Sequence, residues 1–156
     1  MKASEEFVEG KHGIGFVGSY FKEKCGSDSF EMAATMPTFR ALLRSMSDYQ
    51  IEAELKPSIS TLGDIVAFLD AAPQECKDGY ANIFYLSSCV VGVDWSDGGW
   101  YVSAYGRYGG GWDRGDRVFS PASDRLNTST PSDLSLESLD SRLRKLEQLI
   151  NPELLK

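Results

Sequence analysis

The chain has 156 residues, of which 16 are basic and 23 acidic, and its formal net charge is −7. That length matches a single domain, and it is large enough to bury a core without a disulfide or a metal. The negative charge disfavours nonspecific binding to nucleic acid or an anionic membrane. Because no apolar run approaches the ~18 residues of a membrane-spanning helix, we expect no membrane association.

The chain has three cysteines, which are Cys25, Cys76 and Cys89. Because their number is odd, they are widely spaced and they form no C-x-x-C pattern, they do not indicate a disulfide framework. The polar, acidic stretch Met1–Gly10 does not match a signal peptide. We therefore expect a reducing, cytoplasmic setting. One histidine and three scattered cysteines do not make a zinc site, so no metal or cofactor is expected.

The first part of the chain is predicted to be helical. Apolar residues at helix-like spacing predict a helix over Phe16–Lys24 and a second one over Pro37–Met46, with Pro37 in the first turn. Between Gly13 and Gly18 the chain matches the G-x-G-x-x-G string of dinucleotide-binding loops. Because the string lacks a preceding strand and a following βαβ unit, we interpret it as a hinge before a helix.

Two further helices are predicted from their N-terminal caps. Ser47 and Gln50 have the spacing of a capping box in front of a helix over Asp48–Lys56. Thr61 is placed to cap the next helix, in which the predicted buried stripe is formed by Leu62, Ile65, Val66 and Leu69.

Strands are predicted from Tyr80 onwards. Tyr80–Val93 is rich in aromatic and β-branched residues, and Ser96–Gly99 has the composition of a tight hairpin turn. Trp100–Arg107 then alternates, so that Trp100, Val102 and Ala104 face one side and Tyr101, Ser103, Tyr105 and Arg107 the other. With a short strand over Arg117–Ser120, the prediction is an α+β fold whose helices pack on an antiparallel meander of three or four strands.

The C-terminal part is predicted to be separate from a globular domain over residues 1–126. Residues 127–133 are rich in Ser, Thr and Pro and are interpreted as a linker. Residues 134–156 are predicted to form an amphipathic helix, whose apolar stripe is Leu136, Leu139, Leu143, Leu146 and Ile150. The stripe supports two interpretations: a coiled coil that makes a homo-oligomer, or a helix packed on its own domain.

The polar residues that could be catalytic or bind a cation can also be explained by a purely structural role. His12 could serve as a base, but its glycine-flanked position favours a solvated side chain. The carboxylates near the predicted strand connections, Asp94, Asp97, Asp113 and Asp116, could act as the acid and base of a hydrolase or bind a cation. Aspartate is also common in turns, where it accepts hydrogen bonds from local backbone N–H groups.

The most informative cluster combines aromatic rings and guanidinium groups in one sheet region: Tyr101, Tyr105, Arg107, Tyr108, Trp112, Arg114 and Arg117. These residue types dominate protein-interface hot spots. They also form stacking platforms for single-stranded nucleic acid, although Asp113, Asp116 and Asp124 offset the positive charge. A sugar stacked on Trp112 is a further alternative, and helices covering this face would instead make the rings part of the core.

Two segments carry a resemblance: Trp100–Tyr105 and Trp112–Pro121. Together with the end of the chain, Leu143–Pro152, they resemble small uncharacterised accessory proteins of bacteriophages and prophages. The resemblance implies expression in the cytoplasm of a bacterial host, and it implies no fold, activity or catalytic residue.

The leading hypothesis is a non-enzymatic factor that binds and modulates a host protein through the aromatic and arginine cluster. The alternatives are single-stranded nucleic-acid binding through the same residues, and a hydrolase that uses the aspartate pairs near the hairpin turns.

Overall fold

Helices and strands are mixed along residues 1–122, the part of the chain that the computed structural model describes. The helices are α1 (Ala3–Glu6), α2 (Ser19–Cys25), α3 (Asp48–Glu54) and α4 (Leu62–Ala71), with a 3-10 turn at Gln74–Cys76. The strands are β1 (Ile14–Val17), β2 (Thr38–Ala41), β3 (Met46–Ser47), β4 (Asn82–Tyr85), β5 (Cys89–Ser96), β6 (Gly99–Gly106), β7 (Gly111–Trp112) and β8 (Arg117–Ser120). This content confirms the α+β class.

The main sheet is larger than predicted and mixed in direction. It has six strands in the order β1-β6-β5-β4-β8-β2, and β3 and β7 form a separate two-stranded sheet. The predicted hairpin between β5 and β6 is present, but β1 pairs parallel with β6 and β4 pairs parallel with β8. The prediction of a three- or four-stranded antiparallel meander is therefore wrong, because both outer positions are filled by strands from distant parts of the chain.

Both faces of the main sheet are at least partly covered. One face packs on α1, α2 and α4, where the fully buried rings of Phe21 and Phe68 belong to the same core as Phe84 and Trp100. The other face, called the α3 face here, packs on α3 and β3, and Ile51 lies at the centre of a second core with Leu42, Met46, Ile83, Tyr85, Val90 and Val118.

The predicted helix caps are present in the structure. The Gln50 N–H donates to the Ser47 side chain at 3.2 Å, and the Gln50 side chain accepts from the Ser47 N–H, which completes a capping box at α3. Thr61 and Asp64 form the same reciprocal pair at α4. The predicted buried stripe of α4 is confirmed, and the neighbouring Phe68 is fully buried as well.

One predicted helix starts later than expected, and another is wrong. The predicted helix over Phe16–Lys24 is present from Ser19 onwards as α2, whereas Phe16 and Val17 end β1. The predicted helix over Pro37–Met46 is wrong, because this region contains β2 and the start of β3. Leu43, in the middle of that region, is 85% exposed. The backbone of β2 finds its hydrogen-bond partners in β8, and a local sequence pattern does not reveal this pairing.

The glycines of the G-x-G-x-x-G string build the edge of the sheet. A Cβ atom on Gly99 of β6 would lie 3.1 Å from the Cα of Gly15 in β1, so the two backbones approach closely there. Gly13 has a φ of +73°, which glycine adopts without strain. The string therefore serves strand packing in this chain, and the interpretation as a hinge before a helix is wrong.

The predicted linker over residues 127–133 and the predicted C-terminal helix, with its stripe of Leu136, Leu139, Leu143, Leu146 and Ile150, lie outside the described residues. Within residues 1–122, none of the helices has the length and apolar character needed to cross a membrane.

Candidate interaction surface

The α3 face of the sheet is left open over β1 and β6. The burial pattern of β6 alternates as predicted: Trp100, Val102 and Ala104 are buried, whereas Tyr105 is 45% exposed. Phe16 of β1 is 42% exposed and its ring centroid lies 5.3 Å from that of Tyr101. A row of rings therefore lies on the part of the sheet that α3 does not cover.

Trp112 connects this row to α3. Its ring packs edge-on against Tyr105 with a centroid distance of 5.5 Å, and both rings lie over Gly92 of β5. A Cβ atom at position 92 would be in van der Waals contact with both rings, at 3.4 Å from each. Trp112 itself is only half-buried, so one part of its indole contributes to the exposed row.

The buried carboxylate of Asp48, the first residue of α3, holds Trp112 in place. It accepts hydrogen bonds from the Trp112 Nε1–H at 2.8 Å, the Tyr85 hydroxyl at 2.6 Å and the Gly110 N–H at 2.7 Å. Burial, together with this carboxylate, raises the pKa of Tyr85 far above its usual range, so the phenol remains a proton donor. Asp48 thus fixes the loop before β7 against α3.

Tyr108 and Tyr49 extend the row beyond the sheet. Their rings are stacked at a centroid distance of 4.8 Å, and they are 45% and 67% exposed. The Arg107 guanidinium lies 5.7 Å from the centre of the Tyr108 ring, and it donates hydrogen bonds to Glu52 and to the Leu86 carbonyl. Hydrogen bonds from Tyr108 and from Arg107 lower the pKa of Glu52.

We call the exposed and half-buried rings of this region the aromatic surface; its members are Phe16, Tyr49, Tyr101, Tyr105, Tyr108 and Trp112. The sequence cluster contained four of these rings and missed Phe16 and Tyr49. Phe16 was assigned to a helix, and Tyr49 lies far from β6 in the chain. Only the pairing of β1 with β6 places Phe16 opposite Tyr101, and the sequence does not reveal this pairing.

The three predicted arginines have different environments. Arg107 is engaged with Glu52, and Arg114 is exposed on the turn before β8. Arg117 is buried, where it donates to Asp78 at 2.5 and 3.2 Å, to the Asn82 side chain and to the Glu75 carbonyl. Arg117 therefore belongs to the interior of the protein, and its predicted place on an interaction surface is wrong.

The four candidate aspartates do not share one environment. Asp97, with a φ of +51°, and Asp113 lie exposed in turns. Both carboxylate oxygens of the buried Asp116 accept backbone N–H groups, from Ala81 at 2.9 Å and from Asp113 at 2.8 Å. Asp94 is half-buried, and burial raises its pKa, with a smaller contribution from the charge of Asp116.

His12 is held on both sides, in contrast to the solvated side chain that was expected. Its Nδ1 lies 2.6 Å from Asp70 of α4 and its Nε2 lies 2.9 Å from Glu6 of α1. Burial lowers the pKa of His12, but the two carboxylates outweigh it and the net shift is upward. His12 therefore connects two helices by hydrogen bonds.

Among residues 1–122, no group of three or more His, Cys, Asp or Glu side chains is arranged to hold a metal ion. Comparisons of the chain with protein-family models, curated proteins and solved structures gave no match.

Proposed function

We propose that this protein is a non-enzymatic interaction factor that binds a protein partner through the aromatic surface. The observation that carries the proposal is the exposure of Phe16 and Tyr105 on one face of the main sheet, with the exposed stacked pair of Tyr49 and Tyr108 beyond it. Rings of this kind supply much contact area at a small cost in conformational entropy, and they dominate binding energy at protein interfaces.

The rings are held in place before any partner binds. Tyr108 stacks on Tyr49, and the Asp48 carboxylate fixes Trp112, against which Tyr105 packs. A surface that is ordered in advance loses less conformational freedom on binding, so more of the contact energy is available as affinity. This supports a binding role for the rings.

The arrangement of charges favours a protein over single-stranded nucleic acid. Phosphate binding needs free cations, but Arg107 pairs with Glu52, and Arg117 pairs with Asp78 inside the protein. The whole chain also carries a net charge of −7. Binding to nucleic acid therefore stays the second candidate, supported by the stacked rings alone.

The hydrolase hypothesis has less support. Both oxygens of Asp116 are occupied by backbone donors, as expected for a residue that shapes a turn. Asp94 lies on a strand beside it, and Asp97 and Asp113 are exposed in separate turns. Asp97, Asp113 and Asp116 are therefore better explained as turn-forming residues.

The biological setting rests on the resemblance of Trp100–Tyr105 and Trp112–Pro121 to phage and prophage accessory proteins. We propose that the partner is a protein of a bacterial host, bound and modulated in the host cytoplasm.

Affinity capture with single-site variants tests the binding proposal. The full chain is immobilised, bacterial lysate is passed over it, and any protein retained at near-stoichiometric level is identified and its Kd measured. Tyr105→Ser should weaken that complex about 30-fold or more, the loss expected for a hot-spot residue. Tyr80→Ser is the matched control, since Tyr80 is 46% exposed but packs on Gly115 instead of on the aromatic surface.

Equal affinity of the two variants would contradict the proposal. Absence of a captured protein, combined with a salt-sensitive gel shift of a single-stranded oligonucleotide that Tyr105→Ser abolishes, would instead support the nucleic-acid function.

A further inference from the structure

Two of the three cysteines meet inside the protein. The Sγ atoms of Cys25 and Cys89 lie 3.9 Å apart, although the residues are far apart in the chain. Both side chains are fully buried, and both are free thiols. Cys76 is also buried and free, but neither other sulfur is its hydrogen-bond partner. The sequence showed no C-x-x-C pattern, so only the fold reveals this pair.

The pair forms because α2 and β5 contribute to the same core. Cys25 is the last residue of α2 and follows the buried Phe21 by one helical turn. Cys89 is the first residue of β5 and points to the same side of the sheet as Val91. A disulfide between these positions would tie the end of α2 directly to the start of β5.

Both buried thiols have exposed residues close to them in the chain. Ser87 and Ser88, the residues just before Cys89, form an exposed turn. Asp28, which follows Cys25 closely, helps to line a cleft of about 590 Å³ together with Ser29, Ser87 and Ser88. Because both sulfurs are fully buried, an oxidant reaches Cys89 only when this turn moves.

We propose that Cys25 and Cys89 form an oxidation-sensitive dithiol, which peroxides convert to an intramolecular disulfide. In the first step the Cys89 sulfur, after losing its proton, attacks one oxygen of the peroxide. The O–O bond breaks, hydroxide leaves and takes up a proton as water, and Cys89 becomes a sulfenic acid.

In the second step the Cys25 sulfur attacks Sγ of Cys89. The S–S bond forms while the S–O bond breaks, and hydroxide leaves and takes the Cys25 proton to become a second water. The two sulfurs lose two electrons, and the two peroxide oxygens gain them, so the overall reaction is two thiols and one hydrogen peroxide to one disulfide and two waters.

The position of Cys89 assigns the two roles. Cys89 directly follows the exposed turn of Ser87 and Ser88, which is the side from which an oxidant reaches the pair. The hydrogen bond between the two sulfurs can run in either direction, so Cys25 can donate it to a Cys89 thiolate. Because the thiolate is the nucleophile, Cys89 attacks the peroxide and Cys25 resolves the sulfenic acid.

Thiol counting on the folded full chain tests the proposal. The protein is treated with hydrogen peroxide at a concentration that fully oxidises free glutathione in the same time, and it is then denatured and alkylated. We expect the number of alkylated cysteines to fall from three to one, the intact mass to fall by two hydrogens before alkylation, and dithiothreitol to restore all three thiols. Peptide mapping should place the disulfide between Cys25 and Cys89.

Cysteine-to-serine variants distinguish formation of the sulfenic acid from formation of the disulfide. Cys76→Ser should go from two alkylated cysteines to none, because the reacting pair is intact. Cys25→Ser should form no disulfide and should instead gain one oxygen, which dimedone captures at Cys89. Three alkylatable cysteines in the oxidised wild-type protein, or a disulfide that includes Cys76, would overturn the proposal, and both results are read from the wild-type chain without any variant.

Discussion

The indole of Trp112 and the carboxylate of Asp48 are joined by a 2.8 Å hydrogen bond that crosses from β7 to the first turn of α3. Asp48 is 1% exposed and sits at the N-terminal end of α3, where a negative charge is favourable. This one contact links the exposed rings to the second core, so changes at Asp48 should affect both stability and the aromatic surface.

Replacement of Asp48 by Asn should lower the free energy of unfolding by about 2 to 4 kcal/mol. The amide nitrogen cannot accept a hydrogen bond, so at least one of the donors from Tyr85, Trp112 and Gly110 is left without a partner in a buried site. Urea unfolding monitored by tryptophan fluorescence measures the change. Asp113→Asn, in an exposed turn, should unfold like the wild type, and equal midpoints for the two variants would refute this account of Asp48.

Arg117 and Arg114 allow a buried arginine to be compared with an exposed one in a stability measurement. Arg117→Met removes the partner of Asp78 and leaves the Asn82 and Glu75 oxygens without their donor, so we expect a loss of about 3 kcal/mol in unfolding free energy. Arg114→Met changes an exposed side chain and should leave stability unaltered. Thermal denaturation compares the two, and a similar decrease in Tm for both variants would contradict the buried position of Arg117.

Gly63 is predicted to tolerate no side chain, although alanine is the better helix former. A Cβ at this position in α4 would lie 1.9 Å from the carbonyl oxygen of Glu31, which belongs to the backbone and cannot move aside alone. We expect Gly63→Ala to destabilise the protein by about 2 to 3 kcal/mol. Gly111→Ala is the control, because its Cβ would meet no atom within 4 Å. Urea midpoints that are equal in both variants would speak against the close contact.

The environment of His12 predicts a pH-dependent stability. Its pKa is higher in the folded protein than in the unfolded chain, so the stabilisation is fully present below the unfolded value of 6.5 and is lost as pH rises through the folded pKa. The free energy of unfolding should therefore fall with rising pH in this window, and His12→Gln should abolish that part of the slope.

His12 is the only histidine of the chain, so its imidazole protons can be followed directly by NMR. A folded-state titration midpoint at or below that of the unfolded chain would contradict the prediction.

The sequence correctly predicted the structural features that depend only on residues close together in the chain. The Ser47–Gln50 and Thr61–Asp64 caps each join positions three residues apart, and the structure contains both. The hairpin turn has positive φ angles at Asp97 and Gly98, as its composition indicated. The alternation along β6 was also read correctly, because strand geometry alone determines it.

Long-range pairing explains the errors. Phe39 and Leu42 have helical spacing, but Phe39 pairs with Phe119 in β8, and Leu42 donates its N–H to the Asp116 carbonyl. His12 was misjudged for the same reason, since one of its partners is Asp70. No periodicity within a short window carries information about such contacts, because tertiary pairing overrides local propensity.

The pairing of the two edge strands has a consequence for how the chain assembles. Strand β1 has no partner until β6 has been synthesised, and β2 has none until β8 follows, so both edges of the main sheet are completed by segments made much later. Closing such large loops is entropically costly and slow. During translation β1 therefore stays unpaired until β6 has left the ribosome, and β2 stays unpaired until β8 has left it. A chain cut short before β8 should depend on chaperones to remain soluble.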